Sequence, residues 1–155
     1  MKKISGFTMM EAMIVVALMA IVTVYAIPSM TDIIKNNRLA MRTNDFVGAM
    51  QIARSEAIKR GETIRVKSVT NGTWKDGWEV VTIGLPVVTI KQYEPLPATI
   101  TMNSTFTVYN YSATGLIDNG DTLTLCDDRT GEIGRSIRIT SSGNISSGPT
   151  SAPCS

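Results

Sequence analysis

Ile4-Ser5-Gly6-Phe7-Thr8-Met9-Met10-Glu11-Ala12, running into the uncharged block 13–27, is the stretch whose reading decides the fold. Lys2 and Lys3 stand ahead of it, and it holds a Gly-Phe junction and a single acidic residue. A secretory signal carries its small-residue cleavage site after the hydrophobic core, whereas the junction here, Gly6/Phe7, lies before it. Cleavage at that point leaves the apolar segment on the mature protein. Residues 7–27 are about 21 in number with one charge, enough to cross a bilayer as a helix at roughly 1.5 Å per residue. The expectation is a membrane anchor that contacts lipid for part of its life.

Glu11 is out of place in such an anchor, because a carboxylate one turn inside an apolar helix costs about 2.5 to 3.5 kcal/mol on insertion scales. Two readings stand side by side. Glu11 lies at headgroup level, or, once the chain is cut after Gly6, the new amine on Phe7 of one subunit neutralises Glu11 of its neighbour. Positive-inside bias keeps Lys2 and Lys3 in the cytoplasm and sends the remainder outward.

At 155 residues the chain supports one domain with a real core. Fifteen basic and thirteen acidic side chains give a net charge of +2, and removing Lys2 and Lys3 brings the mature chain to neutrality. Capture of a polyanion by overall charge is thereby disfavoured. The chain has no histidine, so the commonest general base and metal ligand is missing, and no Ser-x-x-Lys run supplies a lysine base. The chain reads as a non-enzyme without cofactor or metal. Asp118-Asn119-Gly120-Asp121 and Asp127-Asp128 carry oxygen ligands of the kind calcium takes, but Asn-Gly turn chemistry is the simpler reading. Cys126 and Cys154, both on the exported side, are expected to bridge in an oxidising periplasm and tie the tail to a strand.

Pro28 closes the apolar run and is expected to kink the helix without ending it. Beyond it Leu39, Phe46, Met50, Ala53 and Ala57 repeat at steps of seven, four, three and four, one face of an amphipathic helix, with Gly61 as C-cap. A helix over 7–60 spans about 80 Å, more than a domain of this size buries. After Gly61 the pattern turns to period two. Strands are expected over 62–69, 74–82 (broken at Asp76-Gly77), 87–93, 106–111, 123–126 and 136–140, with a turn at Asn71-Gly72 and a turn or edge at 94–97. The Ser-, Gly- and Pro-rich tail 141–155 would be loose without the bridge from Cys154. The fold class is α+β: a long N-terminal helix, its apolar half protruding and its amphipathic half packed on a small antiparallel sheet or pair of sheets.

The basic leader, Gly6, Phe7-Thr8-Met9-Met10-Glu11, the apolar helix and Pro28 together resemble the class III signal of type IV pilins and type II secretion pseudopilins. In that family a prepilin peptidase cuts after the glycine and methylates the new N-terminal phenylalanine. The resemblance implies processing at Gly6/Phe7, N-methylation of Phe7 and an assembly role for Glu11. Residues 44–61, Trp74 with Gly77-Trp78, Leu125-Cys126-Asp127 and Arg135 to Ile139 resemble FimT/FimU-type minor pilins and H-type (GspH) pseudopilins. It further implies a leader over 1–6, a membrane and assembly helix over 7–28, and a periplasmic pilin domain over 29–155 with helix 29–60 and β domain 61–155. Implied partners are other pilins, the prepilin peptidase, the inner-membrane assembly platform and, before assembly, lipid. The reading is a minor type IV pilus subunit, with an H-type pseudopilin as the alternative.

A third reading is DNA uptake. Some FimT-like relatives bind DNA through a Gly-Arg-x-Arg element near the C-terminus, where this chain has Gly143-Asn144-Ile145-Ser146. Arg135 and Arg138 lie earlier, and alternation puts them on opposite faces of a strand. Phosphate contacts need cations on one surface, so nucleic acid is the weaker partner.

Overall fold

The computed structural model describes residues 6–70 and 72–154, the side chains of 24–29 excepted. A helix, α1 (Met9–Arg60), is followed by β1 (Ile64–Thr70), β2 (Thr73–Thr82), β3 (Thr89–Tyr93), β4 (Thr101–Asn103), β5 (Val108–Tyr111), β6 (Asp121–Cys126), β7 (Ile133–Ile139) and β8 (Ile145–Pro153). The chain divides into two compact units, Met1–Asn37 and Arg38–Ser155.

The start and stop of α1 have local causes. Thr8 precedes the first turn, and its Oγ1 accepts the backbone N–H of Glu11 at 3.3 Å. Thr8-x-x-Glu11 is thus a capping-box sequence, with the carboxylate placed where the helix dipole favours negative charge. At the other end Lys59 and Arg60 occupy the last turn, and Gly61 takes φ +67° while donating to the Ala57 carbonyl at 3.0 Å. That conformation favours glycine and satisfies one of the open carbonyls.

In the first unit every described side chain from Gly6 to Thr23 is exposed. The helix is continuous through Pro28, and the expected bend there falls in 24–29, outside the described side chains. Among the described residues no helix is long and apolar enough to cross a membrane; the expected span, 7–27, runs into that same stretch.

In the second unit one face of α1 is buried: Leu39, Phe46, Ala49, Met50, Ala53 and Ala57. It packs into a core shared by two four-stranded antiparallel sheets, ordered β3-β2-β1-β5 and β4-β6-β7-β8. In the first sheet the pairs Ile64↔Tyr111 and Val66↔Tyr109 on one side of β1, and Val66↔Val80 on the other, line up the inward rows. Leu123 and Leu125 of β6 with Ile137 and Ile139 of β7 form the inward rows of the second. Phe46 meets the Trp74 and Trp78 rings edge-on at 5.2 and 5.3 Å, and Trp74 stacks on Tyr109 at 5.7 Å. Such pairs contribute about 0.5–1.5 kcal/mol each beyond the area they bury.

Several sequence expectations are corrected. Gly77 does not break β2: it takes φ +92° within a continuous strand, and a Cβ there would lie 2.5 Å from the Tyr93 carbonyl, so the strand tolerates it as a close-approach point. The tail is held by more than its bridge, because residues 145–153 pair with β7 from Ile139↔Ile145 to Ile133↔Pro153. Its Ser, Gly and Pro content hid a strand that one neighbour's ladder supports. β4 is a three-residue edge with no periodicity to read, and β3 starts at Thr89 rather than 87. Asn71 of the expected turn lies outside the described residues.

Candidate assembly and processing site

Gly6, Phe7 and Thr8 precede α1 and belong to no helix or strand. Phe7 is 71% exposed, and a Cβ on Gly6 would meet nothing within 4 Å. Gly6 is also absent from the glycines with positive φ. Neither sterics nor backbone conformation in the folded chain calls for glycine at this position. Glu11 sits one turn further on, exposed, on a helix whose Met9, Met10, Met13, Ile14, Val16 and Leu18 are exposed as well. The site is therefore a glycine-phenylalanine junction, a threonine cap, one carboxylate and an uncovered apolar surface. The sequence reading missed Thr8 as a cap, although the Thr-x-x-Glu spacing was there to be read.

Cys126 and Cys154 are joined, with Cα atoms 5.7 Å apart across a separation of 28 residues. Gly134 makes room for the bridge, since a Cβ there would collide with the Leu125 carbonyl and lie 2.7 Å from Cys154 Sγ.

The basic side chains are mostly committed within the fold. Arg54 donates to the Gly143 and Ser142 carbonyls, Arg65 donates to Asn110 Oδ1 at 2.8 Å, and Lys67 pairs with Glu79 at 2.9 Å. Lys59 and Arg60 pair with Glu56, and Arg129 with Asp127. Arg135 is half-buried on the face of β7 that carries Ile137, while Arg138 is exposed on the other. The two do not share a surface. Asp118 accepts from the Asn110 amide and Nδ2, and Asp121 from Tyr109, Ser104 and Thr105. Those carboxylates are turn and inter-sheet fasteners, and among the described residues no group of three or more His, Cys, Asp or Glu is placed to hold a metal.

Residues 42–143, more than half of the chain, match the family model described as type II transport protein GspH. The chain belongs to the GspH family. Residues 1–27 match the prokaryotic N-terminal methylation motif, which covers the Gly6/Phe7 junction and Glu11. GspH-family membership with that motif makes the chain a minor pilin or pseudopilin of a type IV pilus or a type II secretion system. Among curated protein sequences none matches it. Among solved structures the type IV minor pilin FimU of Pseudomonas aeruginosa has the same fold, at 20% identity over 77% of this chain and 95% of that one, with a TM-score of 0.67. A second crystal form of FimU gives 0.56 at 20% identity over 76% and 92%. The minor pseudopilin EpsH of the type 2 secretion system of Vibrio cholerae gives 0.59 at 9% identity over 72% and 97%.

Proposed function

We propose that this GspH-family chain is a minor subunit of a type IV pilus, inserted in the bacterial inner membrane with its C-terminal unit in the periplasm. Prepilin peptidase cuts it between Gly6 and Phe7 and methylates Phe7. The assembly platform then moves it from lipid into the filament, where it packs against other pilins. It acts by packing and carries no enzymatic chemistry.

The observation that carries this reading is the uncovered helix. Every described side chain from 6 to 23 is exposed, including Phe7, Met13, Ile14, Val16 and Ile21. Burying a side chain of this kind is favourable by about 1.5–3 kcal/mol, so a run of them needs lipid first and neighbouring helices afterwards. Glu11 is the exception on that surface, and the methylated Phe7 amine of an adjacent subunit is its counter-charge in the assembled state. Gly6, which the fold does not require, is there for the peptidase.

The match of residues 42–143 to the GspH model favours a second reading, an H-type pseudopilin of a type II secretion system. Deleting the gene separates the two. The pilus reading predicts loss of surface filaments with exoprotein secretion intact. Normal piliation with blocked secretion would assign the chain to a pseudopilus. A DNA-binding role has little support, with Arg54, Arg65 and Lys67 held by internal partners and Arg135 and Arg138 on opposite faces.

A further inference from the structure

The outward face of the second sheet carries a groove of about 350 Å³, at the small end of ligand pockets, walled on one side by the returning segment 149–154. Strand register sets its floor. Thr122, Arg138 and Ser146 lie in one cross-strand row, and Asn103, Thr124, Ser136 and Gly148 in the next. The wall is fixed in place by the Cys126–Cys154 bridge, by Ser136 Oγ donating to the Pro149 carbonyl at 3.1 Å, and by Thr150 Oγ1 accepting the Gly134 N–H at 3.0 Å. The groove is thus formed before anything enters it.

Its polar groups are unevenly committed. Ser136 and Thr150 are held by the wall, whereas the side chains of Asn103, Thr122, Thr124 and Arg138 make no hydrogen bond or ion pair among the described residues. Among the described residues Arg138 is the one cation in the lining, and no Asp or Glu lines it. A single uncompensated guanidinium flanked by small hydroxyls and an amide complements one carboxylate, which it can hold through two parallel N–H bonds. A polyanion would call for several cations on this face. Among the described residues no aromatic ring lines the groove to stack a base. The long wall beside the floor suits a narrow, extended chain.

We propose that this groove binds one carboxylate carried on a short extended peptide segment of a neighbouring subunit, with Arg138 as the anion contact and Thr122, Thr124 and Asn103 as hydrogen-bonding partners. The proposal deepens the packing role above and rests on that role only for the identity of the neighbour.

The test uses the full chain in detergent micelles, titrated with a short Ser/Thr peptide bearing one central aspartate and followed by the amide resonances of Thr122, Thr124 and Ser136. Saturable binding is expected, weakened at least about tenfold when the aspartate is replaced by asparagine or when Arg138→Ala is introduced. Arg138→Lys should recover part of it, and Arg135→Ala, on the opposite face, should leave it unchanged. Equal binding of the two peptides, an Arg138→Ala chain that binds as well, absence of binding, or displacement of the peptide by glucuronate or short duplex DNA would each overturn the proposal. Filament assembly plays no part in this measurement, so its failure leaves the packing role standing, and loss of that role leaves the groove's chemistry measurable.

Discussion

Arg54 on α1 donates from Nη1 to the Gly143 carbonyl at 3.1 Å and from Nη2 to the Ser142 carbonyl at 3.3 Å, crossing almost ninety residues of sequence. One side chain thereby fastens the helix to the turn between β7 and β8. The turn is shaped around it. Gly143 takes φ +76°, and a Cβ there would collide with the Gly115 carbonyl and press on Tyr111. Tyr111 is itself buried in the core, where burial pushes its phenol up to about 12.

Hydrogen bonds from a charged donor contribute about 1.5–3 kcal/mol when well made, and partial exposure of Arg54 lowers that, so Arg54→Ala should cost about 1–2 kcal/mol. Arg54→Lys should restore only a part, because an ammonium does not reproduce the planar fork that reaches both carbonyls. Urea denaturation of the two variants checks this, and an unchanged midpoint in Arg54→Ala would show that the clamp is not structural.

Gly134→Ala should be among the most damaging small substitutions in the second sheet, because the new methyl group lands on the Leu125 carbonyl and beside Cys154 Sγ and Cys126 Sγ. The chain-entropy model gives the bridge about 3 kcal/mol, and β7 must shift if the bridge is to close. Thiol labelling of the folded chain should find free cysteines in this variant. Gly148→Ala, where a Cβ meets nothing within 4 Å, is the matched control and should label as the wild type does.

Asp121 joins the sheets by accepting from Tyr109 Oη at 2.6 Å and from Ser104 and Thr105. Desolvation pushes its carboxyl up, but the hydrogen bonds from Tyr109, Thr122, Thr105 and Ser104 together outweigh that and hold it below the ordinary aspartate value. A folded-state value lower than the unfolded one contributes stability above the unfolded value, near 3.9, and loses it as pH falls through the folded value. Stability should therefore fall in the acid range below about pH 4. Asp121→Asn and Tyr109→Phe should both flatten that acid limb in urea midpoints measured against pH. A limb unaltered by either change would remove Asp121 as its source. Tyr109, whose phenol burial pushes well up, stays neutral throughout.

Much of this was legible in the sequence. The helical face through Leu39, Phe46, Met50, Ala53 and Ala57 is buried as its spacing required, because a period of 3.6 leaves little freedom about which side faces the sheet. The α+β class and the two-sheet option followed from the switch to period two after Gly61. What escaped were features that live in pairing rather than in local pattern. β8 has the composition of a linker and becomes a strand only against β7. Arg54 looked like one of several surface cations, and its partners are backbone carbonyls that no side-chain pattern announces. Tyr109 and Asp121 meet across two sheets whose packing the sequence does not specify.

Glu11 is the one charge on the exposed apolar stretch 7–23, and the pairing with a neighbour's Phe7 amine proposed above would make it dispensable for insertion and necessary for assembly. Glu11→Val should appear in the membrane fraction at wild-type level while its amount in sheared filaments falls at least about tenfold, a loss of the size expected for an unmatched buried charge. Recovery of the variant in filaments at wild-type level would refute the pairing.

The most direct test of the account is the mass of this chain recovered from sheared surface filaments. The account predicts residues 7–155 with one added methyl group on Phe7, and a Gly6→Val chain that stays at full length and outside the filament. A filament-borne chain that still carries residues 1–6, or one trimmed of its apolar helix, would contradict it.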